Sequence, residues 1–270
     1  MKQVYIIHEN NPQLLLFFAG WACDETPFKQ YRPQGMDYMV CYDYRSLDFD
    51  RSLLDRYETV NVIGWSMGVW AASLVLGPTS ASNVVSIAFN GSPLPINDTL
   101  GIPHHIYQAT LDGLTPASLQ KFMRRMCSGS QAYKAFMDIT PRRDFNEIKD
   151  ELACIQQTYL QLYEGSSYSD NGKSVPNGQA NESETVAAYL NRYGHPFDYV
   201  YIGTQDRIFP PANLQQAFGF AKGSRTILAD CAHYDEAMFR FLLQDQWEMP
   251  FNKHLLHLRQ VEQKALQDND

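Results

Sequence analysis

Three side chains that lie far apart in the sequence could together form a nucleophilic catalyst: Ser66, Asp206 and His233. A serine hydroxyl is a poor nucleophile near neutral pH, so it needs an adjacent base, and the base needs a carboxylate that orients it. The chain order serine, aspartate, histidine is one of the known orders of such a triad. These residues indicate transfer of an acyl group to serine and then to water.

Ser66 lies in the sequence GWSMG at residues 64–68, inside the mostly apolar stretch 59–76. A β-branched run precedes it, and an Ala-rich segment without Pro follows it as far as Gly77. The stretch therefore predicts a strand, a sharp turn and a helix, the context that a nucleophile elbow requires. The G-x-S-x-G pattern alone occurs by chance in roughly one chain in ten of this length, so the alternative is an ordinary strand-to-helix turn that contains a serine.

The two candidate partners of Ser66 each follow a predicted strand. Asp206 comes just after residues 199–202, and His233 comes after the next strand along the chain. Both side chains are therefore expected at the carboxyl edge of the sheet, beside the serine. Asp198 precedes its strand and would lie at the opposite edge. The alternatives are a turn or cap role for the aspartate and a surface or core role for the histidine.

An oxyanion formed at the serine would need two backbone N–H donors. Met67, directly after the serine, is predicted to supply one, and Trp21, after an early strand, is predicted to supply the other. Gly20 lets the backbone approach the substrate closely. Phe18, Trp21 and Trp65 are predicted to wall an apolar acyl channel, the alternative being that these aromatic side chains belong to the core.

The elements that must position these groups alternate between strands and helices. Strands are predicted at residues 4–7, 14–18, 38–42, 60–63, 84–89, 198–202 and 225–228, the first two as a hairpin. Helices are predicted toward Tyr31, after the elbow, at 211–220 and at 254–266. Most strands are apolar on both faces, which indicates a mainly parallel sheet covered by helices on both sides. Together with the elbow, this pattern predicts an α/β-hydrolase fold.

This alternation stops between residues 93 and 192. Only helices are predicted there, at 116–126, 133–138 and 145–163. We therefore predict a core formed by residues 1–92 and 193–270, with a helical lid insertion at 93–192. Residues 165–183 are almost free of aliphatic side chains, which predicts a flexible polar loop, with a disordered linker as the alternative.

The composition narrows the functional classes further. The 270-residue chain has 44% hydrophobic residues and a formal net charge of −8, which argues against general nucleic-acid binding. No apolar run approaches the roughly 20 residues of a membrane span, and no secretory signal is apparent. The five cysteines are scattered without a C-x-x-C pair, so neither disulfides nor a metal site are expected. We expect a cytoplasmic monomer.

Five cations in the insertion form a candidate docking site for an acidic partner. They are Lys121, Arg124, Arg125, Arg142 and Arg143, of which the first three share one helix face. The alternative is a solvated helix face paired with nearby carboxylates at Asp138, Asp144 and Glu147.

Three short sequences together resemble one hydrolase family. FFAGW at 17–21, GWSMGVW at 64–70 and NGSP at 90–93 are similar to the BioG-type pimeloyl-[acyl-carrier protein] methyl ester esterases of biotin biosynthesis. The similarity is clearest over about residues 1–105 and around Asp206 and His233, whereas the polar loop at 165–183 is longer than the family pattern suggests.

This resemblance implies a triad of Ser66, Asp206 and His233, oxyanion donors at Trp21 and Met67, and no cofactor. It implies a methylated pimeloyl chain, carried as a thioester on acyl carrier protein, as the substrate. Two alternatives remain open: a general short-acyl carboxylesterase or thioesterase without a carrier partner, and a non-catalytic small-molecule binding protein. The complete triad argues against the second.

Overall fold

The computed structural model describes residues 1–79, 81–166, 182–219 and 224–248. Most of the predicted polar loop at 165–183 and the whole predicted helix at 254–266 lie outside these ranges.

The core of the structure is a seven-stranded sheet. Its strands are β1 (Lys2–Ile7), β2 (Gln13–Phe18), β3 (Met36–Tyr42), β4 (Thr59–Trp65), β5 (Val84–Phe89), β6 (Tyr199–Gly203) and β7 (Arg225–Ala229), in the spatial order β1-β3-β2-β4-β5-β6-β7. Every neighbouring pair is parallel except β1 and β3. The interior strands β3 and β5 are buried along their whole length. The predicted, mainly parallel sheet is confirmed.

The predicted hairpin at the start of the chain is wrong. Strand β1 pairs antiparallel with β3, with Lys2 opposite Tyr42, while β2 pairs parallel with both β3 and β4. The reason lies in burial: five of the six residues of β2 are buried, so β2 takes an interior position. Strand β1 is only partly buried and therefore occupies the edge of the sheet.

The described helices are α1 (Met67–Leu76), α2 (His104–Asp112), α3 (Pro116–Met126), α4 (Ser130–Asp138), α5 (Phe145–Gly165), α6 (Glu182–Tyr193), α7 (Pro211–Gly219) and α8 (Glu236–Leu243). Helices α2 to α6 lie between β5 and β6, in the range predicted as the insertion. None of the helices in the described ranges is long and apolar enough to span a membrane.

One predicted helix needs correction, and two helices were not predicted. The helix predicted toward Tyr31 is only a 3-10 turn at Thr26–Phe28. Helices α2 and α6 were missed, because α2 buries only Tyr107 and therefore shows little apolar periodicity. Helix α6 begins beside the polar segment and buries just three residues, Thr185, Val186 and Tyr189.

Candidate active site

Ser66 lies at the sharp turn between β4 and α1, as predicted for a nucleophile elbow. Its φ of 58° is in the left-handed region, where a non-glycine residue costs on the order of 1 to 3 kcal/mol. The following helix packs very close to β2: a Cβ added at Gly68 would lie 2.0 Å from the carbonyl oxygen of Phe18. Glycine is therefore required at this position for the helix to approach the strand.

The structure brings together the three side chains that sequence reasoning selected. His233 Nε2 lies 3.0 Å from Ser66 Oγ, and His233 Nδ1 lies 2.8 Å from Asp206 Oδ2. The other oxygen of Asp206 accepts hydrogen bonds from the backbone N–H groups of Ile208 and Phe209, at 2.7 and 3.0 Å. Ser66, Asp206 and His233 are all buried. This geometry allows His233 to take the proton of Ser66 while the aspartate fixes the ring.

The carbonyl oxygens of Ala232 and His233 are held by side chains at the carboxyl ends of two neighbouring strands, β4 and β5. Asn90 donates to the carbonyl oxygens of Ala232 and His233 and accepts from the N–H of Gly203. The indole N–H of Trp65 donates to the same His233 carbonyl at 2.9 Å. Sequence reasoning missed the positioning role of Asn90, although an asparagine directly after a buried strand is a signal for it. In the structure its φ is 47°, a conformation in which asparagine is enriched among non-glycine residues.

Two residues predicted to wall an acyl channel lie elsewhere. Phe18 has no exposed surface and packs near Phe49. Trp65 is 2% exposed and packs edge-to-face against Phe239 in the core. The structure therefore corrects both predictions, because the side chains at the ends of β2 and β4 point into the core. Trp21 does line the pocket beside the triad.

The backbone after β2 lies directly against Ser66. A Cβ added at Gly20 would lie 3.1 Å from the Cβ of Ser66, a tight contact that glycine avoids. The backbone N–H groups of Trp21 and Met67 make no hydrogen bond within the described residues. Met67 is the first residue of α1, where N–H groups have no partner inside the helix. Both groups are therefore available to an oxyanion.

An apolar pocket, partly open to solvent, adjoins Ser66. Its apolar wall includes Trp21, Ile102, Tyr107, Phe122, Leu152 and Ile208. Two exposed guanidinium groups also line it, from Arg125 on α3 and from Arg207 directly after the triad aspartate. Sequence reasoning missed Arg207. The pocket can bind an alkyl chain and present an anionic end to these two cations.

The five cations predicted to form a docking site separate into two groups. Lys121, Arg124 and Arg125 are exposed and make no ion pair within the described ranges. The side chain of Arg143 is only 3% exposed and pairs with Asp43 and Glu151, so its predicted docking role is wrong.

Arg142 remains exposed. The alternative, in which these cations pair with Asp138, Asp144 and Glu147, is not found among the described residues. Asp144 caps α5, and Glu147 pairs with Arg45.

Burial and ion pairing shift two carboxyl pKa values near the site in opposite directions. Burial raises the pKa of Asp43, but Arg45 and Arg143 lower it by more, so its pKa lies below the ordinary value. Burial raises the pKa of Glu151 above its ordinary value, although Arg143 and the N–H groups of Tyr44 and Ala22 oppose this shift.

A family model described as "Pimeloyl-ACP methyl esterase BioG" matches residues 1–164. The chain belongs to this family. A crystal structure of BioG from Haemophilus influenzae superposes with a TM-score of 0.70 at 28% identity and covers 91% of this chain and 100% of that one. An esterase from Exiguobacterium antarcticum superposes with a TM-score of 0.55 at 15% identity, covering 96% of this chain and 94% of that one. These matches confirm the α/β-hydrolase fold predicted from the sequence.

Two curated proteins are also similar in sequence to this chain. A Bacteroides fragilis protein named malonyl-[acyl-carrier protein] O-methyltransferase is 42% identical over 233 residues, covering 84% of this chain and 41% of that protein. An uncharacterized protein of Haemophilus influenzae is 35% identical over 143 residues, covering 53% of this chain and 65% of that protein. The chain thus spans less than two thirds of both curated relatives.

Proposed function

We propose that the chain is a serine esterase that hydrolyses the methyl ester of pimeloyl-[acyl-carrier protein] and releases methanol, in biotin precursor synthesis. The observation that carries the proposal is the 3.0 Å contact between Ser66 Oγ and His233 Nε2 beside an apolar pocket. The description of the family supports this substrate.

In this mechanism Ser66 Oγ attacks the carbonyl carbon of the methyl ester while His233 Nε2 takes the hydroxyl proton. Asp206 accepts from Nδ1–H and stabilises the imidazolium that forms. The N–H groups of Met67 and Trp21 donate to the oxyanion, each contributing on the order of 3 kcal/mol in comparable sites. The imidazolium then protonates the departing methanol. A water molecule deprotonated by the same histidine hydrolyses the acyl-serine.

The pocket fits the proposed substrate in two respects. Its apolar walls can bury the methylene groups of a pimeloyl chain, each worth about 0.8 kcal/mol when fully buried. Arg125 and Arg207 are the cations available to an anionic group beyond that chain. Carrier proteins are typically acidic, and the exposed cations of α3 continue from the pocket along the surface.

The substrate assignment is tested by measuring methanol release from methyl-pimeloyl carrier protein and from free methyl pimelate. We expect a higher kcat/KM with the carrier substrate, and equal values would reject carrier recognition. Ser66→Ala should abolish release from both, because the nucleophile is lost. Activity that survives this substitution would reject the mechanism.

The docking face is tested by reversing the three exposed charges of α3: Lys121→Glu, Arg124→Glu and Arg125→Glu together. We expect KM for the carrier substrate to rise by about tenfold or more, since rim charges steer association, with turnover of small uncharged esters unchanged. Arg56→Glu is the matched control, because this side chain is 66% exposed on another part of the surface. An unchanged KM in the triple variant would reject the docking face.

The name of the Bacteroides fragilis relative raises methyl transfer as a second candidate function. The chain covers only 41% of that protein, so the named activity need not reside in the matched part. A serine with an adjacent base suits hydrolysis, because it supplies a nucleophile for an ester carbonyl. If the protein transferred a methyl group from a sulfonium donor to the free acid, the same methanol assay would show no release.

A further inference from the structure

The Trp21 N–H, the second donor of the proposed oxyanion hole, belongs to a loop that is hydrogen-bonded to the insertion. We name residues 20–24 the oxyanion loop. Each of the residues from Trp21 to Asp24 makes a hydrogen bond to residues 142–151, which lead into α5 and form its first turns. These bonds are Trp21 Nε1 to the Ile148 carbonyl, Ala22 N–H to Glu151, Arg143 to the Cys23 carbonyl, and Arg142 N–H to Asp24.

The conformation of this loop decides where the Trp21 N–H points. The carbonyl of Gly20 accepts a hydrogen bond from Cys23 N–H at 3.3 Å, which closes a tight turn. In a trans peptide the C=O and N–H groups point in opposite directions, so the Trp21 N–H is directed away from Cys23. The turn requires a φ of 66° at Ala22, which is unfavourable for a non-glycine residue. An external contact at Ala22 is therefore needed to hold it.

Glu151 supplies that contact from a fully buried position. Its Oε2 accepts from the N–H of Ala22 at 3.3 Å, and its Oε1 accepts from the N–H of Tyr44 at 2.9 Å. The hydroxyl of Tyr44 in turn donates to the carbonyl of Ala19, just before the loop, at 2.6 Å. Glu151 therefore fixes the backbone on both sides of Trp21.

Arg143 makes this buried carboxylate compatible with a developing oxyanion. Its guanidinium lies 2.5 Å from Glu151 Oε2 and also donates to the Cys23 carbonyl. On its other side it pairs with Asp43. An isolated buried negative charge near the oxyanion would oppose its formation, and pairing with a cation removes most of that field.

We propose that Glu151 is a positioning residue of the oxyanion hole, acting through Ala22 and Tyr44 to hold the Trp21 N–H against Ser66. The inference rests on the proposed serine-esterase function. Under this proposal, α5 both covers the pocket and holds one donor of the oxyanion hole in position.

The test compares Glu151→Gln with Glu147→Gln, which removes the same charge one turn earlier on α5, where the side chain pairs with Arg45. The substrate is p-nitrophenyl acetate, so carrier recognition plays no part. Loss of one oxyanion donor costs about 100-fold or more in kcat, so a misplaced donor in Glu151→Gln should cost about tenfold, with KM unchanged. Glu147→Gln should keep wild-type kcat, and equal losses in both variants would reject the inference.

A second readout separates positioning from general damage. A trifluoromethyl ketone forms an oxyanion adduct with the serine, and its affinity should fall by the same factor as kcat/KM in Glu151→Gln. Misfolding would instead lower the active fraction and leave the inhibition constant of the remaining enzyme unchanged, which would reject the inference. If wild-type protein hydrolyses no ester, the proposed function itself fails.

If Glu151→Gln does not fold, Arg143→Lys serves in its place. Lysine keeps a positive charge beside Glu151 but cannot also reach the Cys23 carbonyl and Asp43 with one nitrogen. We expect a smaller loss of kcat, about threefold, again matched by weaker ketone binding. Full kcat together with full ketone affinity would overturn the proposal.

Discussion

The turn that carries Ser66 and the oxyanion loop lie against each other in the proposed catalytic site, but they are built in different ways. Each contains a non-glycine residue with positive φ, 58° at Ser66 and 66° at Ala22. The serine turn is set by the strand before it, the helix after it and the glycines between them. The loop at 20–24 is set by hydrogen bonds to residues more than 100 positions later in the chain.

This difference implies that the two halves of the site respond to different perturbations. The elbow depends on close backbone packing between β2, β4 and α1, so added volume should disrupt it. The loop depends on polar and charged groups at the start of α5, so loss of a single acceptor should loosen it without unfolding the core. The following predictions test that contrast.

Gly68→Ala should have the largest effect, on the elbow side. The new Cβ would lie 2.0 Å from the Phe18 carbonyl oxygen, so β2 and α1 must move apart. We expect esterase kcat to fall by about 100-fold, since displacements near 1 Å cost that much, and the melting temperature to fall as well. Gly129→Ala is the control, because no atom lies within 4 Å of its added Cβ. Wild-type kcat in Gly68→Ala would contradict this account of the elbow.

Asn90→Ala tests whether hydrogen bonds from the Asn90 side chain hold His233 in position, as close packing holds Ser66. The change removes the bonds to the Ala232 and His233 carbonyl oxygens and to the Gly203 N–H. We expect kcat to fall by about tenfold because the histidine loses its fixed position. Asn83→Ala, which also removes a bond to a backbone carbonyl, should leave kcat unchanged. The comparison is made by steady-state kinetics with p-nitrophenyl acetate.

Asp24→Asn tests the far end of the oxyanion loop. The carboxylate accepts from the N–H groups of Arg142 and Thr26, each at 2.7 Å, and an amide can accept from only one of them. We expect kcat to fall by about threefold with KM and the melting temperature nearly unchanged, because only the loop loosens. Asp50→Asn, which also alters an acceptor of a backbone N–H, is the control. A large fall in the melting temperature would show instead that the loop cannot loosen without destabilising the core.

Acidification should weaken the ion pairs of Arg143 with Asp43 and Glu151, which support the oxyanion loop. The elbow should be less affected, because residues 64–68 carry no charge. The pKa of Asp43 is lower in the folded protein than in the unfolded chain. Its contribution to the free energy of unfolding is therefore fully present above about pH 4, the unfolded value, and is lost as the pH falls through the folded value. Denaturant titrations from pH 6 to pH 3 should show a smaller acid dependence in Asp43→Asn than in wild type. Asp55→Asn, at an exposed position, should retain the wild-type dependence.

Local sequence patterns were enough to predict the features that short stretches of chain determine. The elbow followed from glycines between a β-branched run and an Ala-rich segment, and the parallel sheet followed from strands apolar on both faces. The chain order of Ser66, Asp206 and His233 selected the three side chains that the structure brings together. Their positions after the parallel strands β4, β6 and β7 made this possible, because such positions meet at one edge of a sheet.

The tertiary structure alone decided the features that depend on distant residues. It placed β1 beside β3, pointed Phe18 and Trp65 into the core, and buried Arg143 between two carboxylates. It also joined the oxyanion loop to Glu151 on α5. None of these contacts is apparent in a local pattern, because the partner of a strand or a side chain is set by how helices and strands pack. The sequence therefore determined which groups could perform the proposed chemistry. The packing of α5 against the oxyanion loop decided how one of them, the Trp21 N–H, is held.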